Sequence, residues 1–159
     1  RATARLEQWG FGVSVAEHAY GNIGRFSATD EQRVADLNAA LADPTVDIIL
    51  CSRGGYGLQR IIDKVVLPER PKHQWPLVVG YSDITALHNL FSLHGVPSLH
   101  ANMCKDLSLL GEQFLLPYIF GAIRKVVLLE HGRLPSRMTR CVFLSGVSTI
   151  VGSPFGWLF

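Results

Sequence analysis

Two short apolar runs, residues 46–51 and 77–80, constrain the fold of this chain more than any other feature of its sequence. Each has the length of a strand and is rich in branched side chains, which is typical of strands buried inside a parallel sheet. A helix is predicted before the first run, at 30–42, and another after the second, at 83–94. This alternation predicts an α/β fold with an open, mostly parallel sheet flanked by helices.

Thr29 is expected to cap the first of these helices. Its hydroxyl can accept a hydrogen bond from the first turn, and Gln32, three residues later, can complete a capping box. Asp30 and Glu31 place negative charge at the positive end of the helix dipole. The sequence therefore predicts a helix that begins directly after Thr29 and ends near Asp43.

The composition excludes several classes of protein. With 48% hydrophobic and 18% charged residues, the 159-residue chain can bury a core as one domain or as part of one. Its net charge of +2 is too small to indicate nucleic acid or an anionic membrane as a partner. No apolar run approaches the roughly 20 residues that cross a bilayer. The three cysteines, Cys51, Cys104 and Cys141, have no CxxC spacing and indicate reduced thiols, so we expect a cytoplasmic protein.

The first apolar run leads into a glycine-rich loop, Arg53-Gly54-Gly55-Tyr56-Gly57. Glycines allow positive φ and close approach of the backbone, so N–H groups can point into a cleft and stabilise a phosphate or an oxyanion. The spacing fits neither a dinucleotide-binding fingerprint nor a P-loop. A tight turn between a strand and a helix, without a ligand, is the alternative interpretation.

The second run leads into Ser82, where the predicted strand turns sharply into a helix. This is the arrangement of a nucleophile elbow, in which the serine hydroxyl projects into the cleft and the next N–H, that of Asp83, can donate to an oxyanion. The match to G-x-S-x-G is incomplete, because Gly80 is present but Ile84 stands in place of the second glycine. In the alternative interpretation, Ser82 and Asp83 are ordinary N-cap residues without chemistry.

A serine nucleophile needs a base, which is usually a histidine oriented by a carboxylate. Among the six histidines, His100 is a candidate for the cleft because it follows a predicted strand. His88 and His94 lie on the helix after Ser82 and are expected to be surface or packing residues. The sequence contains no convincing complete triad and no paired His/Cys spacing, so we expect neither a metal nor another cofactor.

Four segments, in their order and spacing, closely resemble the LD-carboxypeptidase (muramoyltetrapeptide carboxypeptidase) family. They are Phe26-x-Ala28-Thr29-Asp30-x-x-Arg33, Asp43-Pro44-x-Val46, Arg53-Gly54-Gly55-Tyr56-Gly57 and Gly80-Tyr81-Ser82-Asp83-Ile84-Thr85-Ala86-Leu87. The resemblance extends over residues 1–107. Residues 144–155 resemble a degraded form of the family's Gly-Gly-Asn-Leu-Ser segment and the Gly-Thr-Pro that follows it.

The resemblance implies a cytoplasmic serine peptidase that removes the terminal D-Ala from murein tetrapeptide during peptidoglycan recycling. Ser82 matches the family's nucleophile, and the oxyanion donors would be backbone amides. The residues expected at the site are Ser82 as nucleophile, Asp83, Gly54 and Gly55 as the oxyanion hole, and Arg53, Tyr56 and His100 along the substrate cleft. The expected partner is a murein peptide, with a homodimer as an open possibility.

The same resemblance predicts that the chain is a fragment. Residues 1–107 would form the N-terminal α/β domain without its first strand, and residues 108–159 the inter-domain region and the start of a truncated C-terminal domain. In the family the Glu and His of the triad belong to the C-terminal domain, so this chain would lack both and be inactive alone.

Two other functions stay open at this point. The microcin-immunity branch of the same family would use the same serine on a peptide-nucleotide antibiotic. Alternatively, a non-catalytic domain could bind phosphate or an anionic peptide through the amides of Arg53, Gly54 and Gly55, with Ser82 acting only as a helix cap.

Overall fold

The computed structural model describes residues 2–109 and 140–144. The helices and strands are, in chain order, α1 (Ala2–Gln8), β1 (Gly12–Val15), α2 (Asp30–Ala42), β2 (Ile48–Cys51), β3 (Leu77–Gly80), α3 (Thr85–Leu93), β4 (Leu99–His100), α4 (Cys104–Leu109) and β5 (Arg140–Leu144), with short 3₁₀ turns at Ile62–Lys64, Lys72–Gln74 and Ser82–Ile84. The apolar runs at 46–51 and 77–80 thus contain β2 and β3, as predicted.

The strands form a five-stranded sheet in the order β1-β5-β2-β3-β4, and every pair is parallel. Ile48 of β2 pairs with Leu77 of β3, and Val79 of β3 pairs with Leu99 of β4. The prediction of an α/β fold with a parallel sheet is therefore confirmed. Because β2 and β3 are neighbours and run the same way, the loops after both strands leave the same edge of the sheet.

Both faces of the sheet are covered, and the alternation of side chains along the strands divides the core into two parts. On one face, Ile49 and Val78 pack with α2 and α3, whose buried residues include Leu41 and Phe91. On the other face, the flanking strand residues pack with α1 and α4; this second cluster is Leu6, Phe11, Ile48, Leu50, Leu77, Val79, Cys104 and Leu107. Strands buried on both faces explain why β2 and β3 are continuously apolar.

Helix α2 begins as its sequence predicts. The N–H of Gln32 donates to the hydroxyl of Thr29 at 3.3 Å, and the side chain of Gln32 accepts from the N–H of Thr29 at 3.1 Å. These two bonds form the expected capping box. Helix α3 differs from its prediction, because a 3₁₀ turn at Ser82–Ile84 precedes the first α-helical residue, Thr85.

Strand β5 lies between β1 and β2, although it comes from the part of the chain that we predict to be inter-domain. Most of the predicted region 108–159 lies outside the described residues, so the domain boundary at 107 stays a prediction. In the part of the chain that the structure describes, no helix is long and apolar enough to span a membrane.

Candidate active site

Ser82 has a backbone conformation that few residues other than glycine adopt. Strand β3 ends at Gly80, Tyr81 is extended with φ −145° and ψ −175°, and Ser82 then turns into the left-handed region with φ +63°. Among the described residues it is the only non-glycine with positive φ. Such strain costs about 1–3 kcal/mol and concentrates at functional sites. A strained serine between a buried strand and a helix is the geometry of a nucleophile elbow.

The same conformation is incompatible with a capping role for Ser82. A residue that caps a helix with its side chain takes extended backbone angles and accepts a hydrogen bond from the first turn. The 3₁₀ turn is preceded by Tyr81 and α3 by Ile84, and neither start has a side-chain cap. Ser82 is instead exposed at the carboxyl end of β3.

Gly80 explains how the elbow tolerates Ile84 in place of a second glycine. A Cβ added to Gly80 would lie 2.9 Å from Cγ1 and 3.0 Å from Cγ2 of Ile84. Ile84 is 3% exposed and belongs to the core between the sheet and α3. The glycine two positions before the serine thus makes room for the large residue two positions after it, and the turn needs a small residue at only one of the two places.

The glycine-rich loop after β2 lies against Ser82. A Cβ on Gly54 would lie 2.6 Å from Cβ of Ser82, so only a glycine fits at this point of the loop. Gly55 is buried and has φ +144°, a conformation that also favours glycine. The structure thus brings Gly54 next to the candidate nucleophile.

The backbone amides beside Ser82 suit an anion. Within the described residues, no hydrogen bond uses the N–H of Gly54, Gly55 or Asp83. Buried N–H groups are normally paired, and an oxyanion hole requires donors that stay available for the substrate. Two further loop residues predicted at the cleft differ in exposure: Arg53 is half-buried, whereas Tyr56 is 68% exposed.

The side chain of Asp83 makes a contact that the sequence does not reveal. Its carboxylate accepts a hydrogen bond from the N–H of Leu58 at 2.7 Å. Burial raises the pKa of Asp83, while this hydrogen bond and the charge of Arg33 partly oppose the rise. From the sequence, Asp83 is expected to act through its own N–H or as a helix cap, and neither role involves Leu58.

His88, on α3, is hydrogen-bonded to the backbone of the elbow. Its Nε2 lies 2.9 Å from the carbonyl oxygen of Gly80, and its Nδ1 lies 2.7 Å from the hydroxyl oxygen of Ser98. Burial lowers the pKa of His88, with the nearby His100 adding to the effect and the Gly80 carbonyl opposing it. A neutral ring that donates from Nε2 and accepts at Nδ1 fits both contacts, so His88 is a packing residue whose nitrogens are both in use.

His100 lies at the end of β4, beside the elbow and exposed to solvent. Its ring centroid is 6.3 Å from that of Tyr81 and 5.8 Å from that of His88. The hydroxyl of Tyr81 donates to Asp106 at 3.4 Å, and burial, followed by the charge of Asp106, raises the pKa of Tyr81. The structure therefore places His100 near the elbow, and its role in the cleft stays a prediction.

The remaining described histidines have partners away from Ser82. His18 pairs with Asp36, His94 contacts the carbonyl of Leu90, and His73 lies on an exposed turn next to Gln74. Nor do the described residues contain a group of three or more His, Cys, Asp or Glu side chains that could hold a metal.

Comparisons with known proteins agree with these motifs. Residues 1–101 match a profile described as the LD-carboxypeptidase N-terminal domain. A relative from Streptomyces coelicolor that is named as a carboxypeptidase is 33% identical to this chain over 161 residues. The aligned region covers 95% of this chain and 52% of the relative. The murein tetrapeptide carboxypeptidase of Pseudomonas aeruginosa is 30% identical over 109 residues, covering 68% of this chain and 36% of that protein.

A solved structure gives the same result. The crystal structure of muramoyltetrapeptide carboxypeptidase from Oxalobacter formigenes superposes with a TM-score of 0.64 at 28% sequence identity, covering 77% of this chain and 42% of that one. The chain thus spans about half the length of the Streptomyces relative, and less of the other two proteins.

Proposed function

This chain belongs to the LD-carboxypeptidase family, and we propose that Ser82 is the nucleophile of a serine peptidase that removes the terminal D-Ala from murein tetrapeptide. The observation that carries the proposal is the left-handed backbone of Ser82, with φ +63°, on a turn between a buried strand and a helix. A strained conformation is retained where function requires it, and a hydroxyl on this turn points to where ligands of parallel sheets bind.

The attack of Ser82 on the L,D peptide bond produces a tetrahedral oxyanion. We assign the backbone N–H groups of Asp83, Gly54 and Gly55 as hydrogen-bond donors to this oxyanion. They lie on the elbow and on the loop beside it, and no hydrogen bond within the described residues uses them. Preorganised amides of this kind stabilise developing charge without reorganising during the reaction. The side chains of Arg53, Tyr56 and His100 are our candidates for contact with the peptide.

We assign the general base and its orienting carboxylate to a part of the protein beyond the described residues. Both nitrogens of His88 are engaged, and His18 is paired with Asp36. The matching Pseudomonas protein is named for murein tetrapeptide, and this supports a murein peptide as the substrate class. The proposed setting is peptidoglycan recycling in the cytoplasm, which the wide spacing of the three cysteines in the sequence, with no CxxC motif, favours.

A fluorophosphonate probe tests the nucleophile in the chain itself. A fluorophosphonate is far more reactive towards a serine than a peptide bond is, and the oxyanion hole stabilises the attack, so we expect slow labelling even without a base, which mass spectrometry locates at Ser82. Ser82→Ala should abolish the labelling. The matched control is Ser92→Ala, which removes an exposed serine of α3 and should leave the labelling unchanged.

Hydrolysis of murein tetrapeptide tests whether this chain supplies a general base. We expect turnover by this chain to equal that of the Ser82→Ala control, because an unassisted hydroxyl is a weak nucleophile at neutral pH. Turnover above the control would place a working base within the 159 residues. Tight binding of inorganic phosphate without labelling of Ser82 would instead support the non-catalytic anion-binding function.

A further inference from the structure

A single peptide group, the one between Gly57 and Leu58, is held on both sides by side chains of opposite charge. Its carbonyl oxygen accepts a hydrogen bond from Nη1 of Arg33 at 2.9 Å, and its N–H donates to Oδ2 of Asp83 at 2.7 Å. We call this arrangement the 57–58 clamp. Charge-assisted hydrogen bonds are roughly twice as strong as neutral ones, and here both bonds of one peptide group are of this kind.

The positive side of the clamp is rigid. Arg33 is 2% exposed, its guanidinium lies 4.8 Å from the ring centroid of Phe26, and its Nη2 is hydrogen-bonded to Asp30. Asp30 also pairs with Arg60 at 2.8 Å. Because α2 carries both Asp30 and Arg33, the clamp ties the glycine-rich loop to a helix that packs on the sheet.

The negative side of the clamp comes from the residue that directly follows the candidate nucleophile. Asp83 and Leu58 are 25 positions apart, so their bond connects the elbow after β3 with the loop after β2. The same loop contacts Ser82 at Gly54, four positions before Leu58. The loop is therefore held against the elbow at two points, by steric contact at Gly54 and by the Asp83 carboxylate at Leu58.

We propose that Asp83 is a positioning residue. By accepting a hydrogen bond from the N–H of Leu58, its carboxylate fixes the amides of Gly54 and Gly55 relative to Ser82. Its catalytic consequence rests on the proposed function, since it concerns the oxyanion hole of the same serine. Small displacements of such donors matter because an oxyanion hole acts only over hydrogen-bond distances. The other member of the clamp, Arg33, holds the opposite end of the same peptide group.

Replacement of Asp83 by Asn or Ala separates positioning from charge. Asp83→Asn keeps an oxygen that can accept from Leu58, whereas Asp83→Ala removes the acceptor and leaves that N–H without its partner. The matched control is Asp43→Ala, which deletes a carboxylate that accepts from a backbone N–H, that of Thr45, at 2.8 Å but at the far end of α2.

Two measurements on the full 159-residue chain decide the proposal: amide hydrogen exchange in residues 53–58, and the kinetics of Ser82 labelling by a fluorophosphonate. In Asp83→Ala we expect exchange at Leu58 to rise at least about tenfold, as the loss of one net hydrogen bond permits. The maximal labelling rate should fall by a similar factor with little change in probe affinity. Asp83→Asn should recover most of both losses relative to Asp83→Ala, and Asp43→Ala should match the wild type in both.

The results divide cleanly. The proposal is overturned if amide exchange in residues 53–58 of Asp83→Ala equals that of the wild type. It is also overturned if Asp83→Asn has normal exchange but labels as slowly as Asp83→Ala, because the charge of Asp83 rather than its hold on the loop would then act on Ser82. If the wild-type chain is not labelled at Ser82 at all, the proposed function fails, and the exchange at Leu58 still decides whether Asp83 holds the loop.

Discussion

The backbone of Gly54 lies directly against the side chain of Ser82: a Cβ on Gly54 would be 2.6 Å from Cβ and 2.8 Å from Oγ of the serine. An added Cβ at these distances would force one of the two loops to move. The glycine-rich loop therefore meets the elbow at the proposed nucleophile itself, and a single added methyl group is enough to test the contact.

We expect Gly54→Ala to destabilise the chain by about 1–3 kcal/mol, the usual cost of overpacking, and to slow fluorophosphonate labelling of Ser82 at least about tenfold. Gly95→Ala is the matched control: Gly95 has φ +67° but nothing within 4 Å of an added Cβ. It should lose about 1–2 kcal/mol from left-handed strain and keep normal labelling. Urea denaturation and labelling rates check both variants, and normal labelling of Gly54→Ala would contradict the contact.

The strain at Ser82 predicts a stability gain on replacing the proposed nucleophile. Ser82→Gly should relieve the left-handed strain at φ +63°, worth about 1–2 kcal/mol, although the greater freedom of glycine in the unfolded chain offsets part of the gain. Ser82→Ala loses the same hydroxyl but keeps the strain. We therefore expect Ser82→Gly to unfold at higher urea concentration than Ser82→Ala, with neither variant labelled. Equal midpoints would show that the turn is not strained in solution.

The contact between Gly80 and Ile84 predicts a thermodynamic coupling. Gly80→Ala should cost about 1–3 kcal/mol of stability in the wild-type background, because its Cβ would be only 2.9 Å from Cγ1 of Ile84. In an Ile84→Ala background the cost should fall by about half or more, with the remainder due to Cβ of Cys51 at 3.2 Å. A double-mutant cycle measured by urea denaturation gives the coupling, and an equal cost in both backgrounds would exclude this explanation of the missing second glycine.

Local patterns predicted much of this site because strand β3, the turn after it and the capping box of α2 depend on residues close in sequence. The meeting of the two carboxyl-end loops follows from the parallel pairing of β2 and β3, which continuous apolar strands indicate. The 57–58 clamp could not be predicted, since its hydrogen bonds join residues 24 and 25 positions apart. Nor does a sequence pattern reveal that both ring nitrogens of His88 are hydrogen-bonded, one to Gly80 and the other to Ser98.

The pair between His18 and Asp36 predicts a pH dependence of stability. Nδ1 of His18 lies 2.9 Å from Oδ1 of Asp36, and the N–H of His18 donates to Oδ2 at 3.1 Å. The pKa of His18 is raised above its ordinary value of 6.5, chiefly by the hydrogen bond to Asp36, with burial opposing and the charges of Asp36 and Glu17 adding. A raised pKa means that the folded chain binds the proton more tightly than the unfolded chain.

The stabilisation from this pair is therefore complete below the unfolded pKa of 6.5 and is lost as the pH rises through the raised folded value. His88, whose pKa is lowered by burial, contributes with the opposite sign, so the comparison must be made between variants. We expect His18→Gln to be less stable than the wild type mainly at low pH. Urea denaturation across pH 5 to 9, which spans an ordinary histidine pKa of about 6.5, measures this difference. Asp36→Asn should show the same dependence and His73→Gln should not; a loss in His18→Gln that is constant with pH would mean that the imidazole acts only through packing.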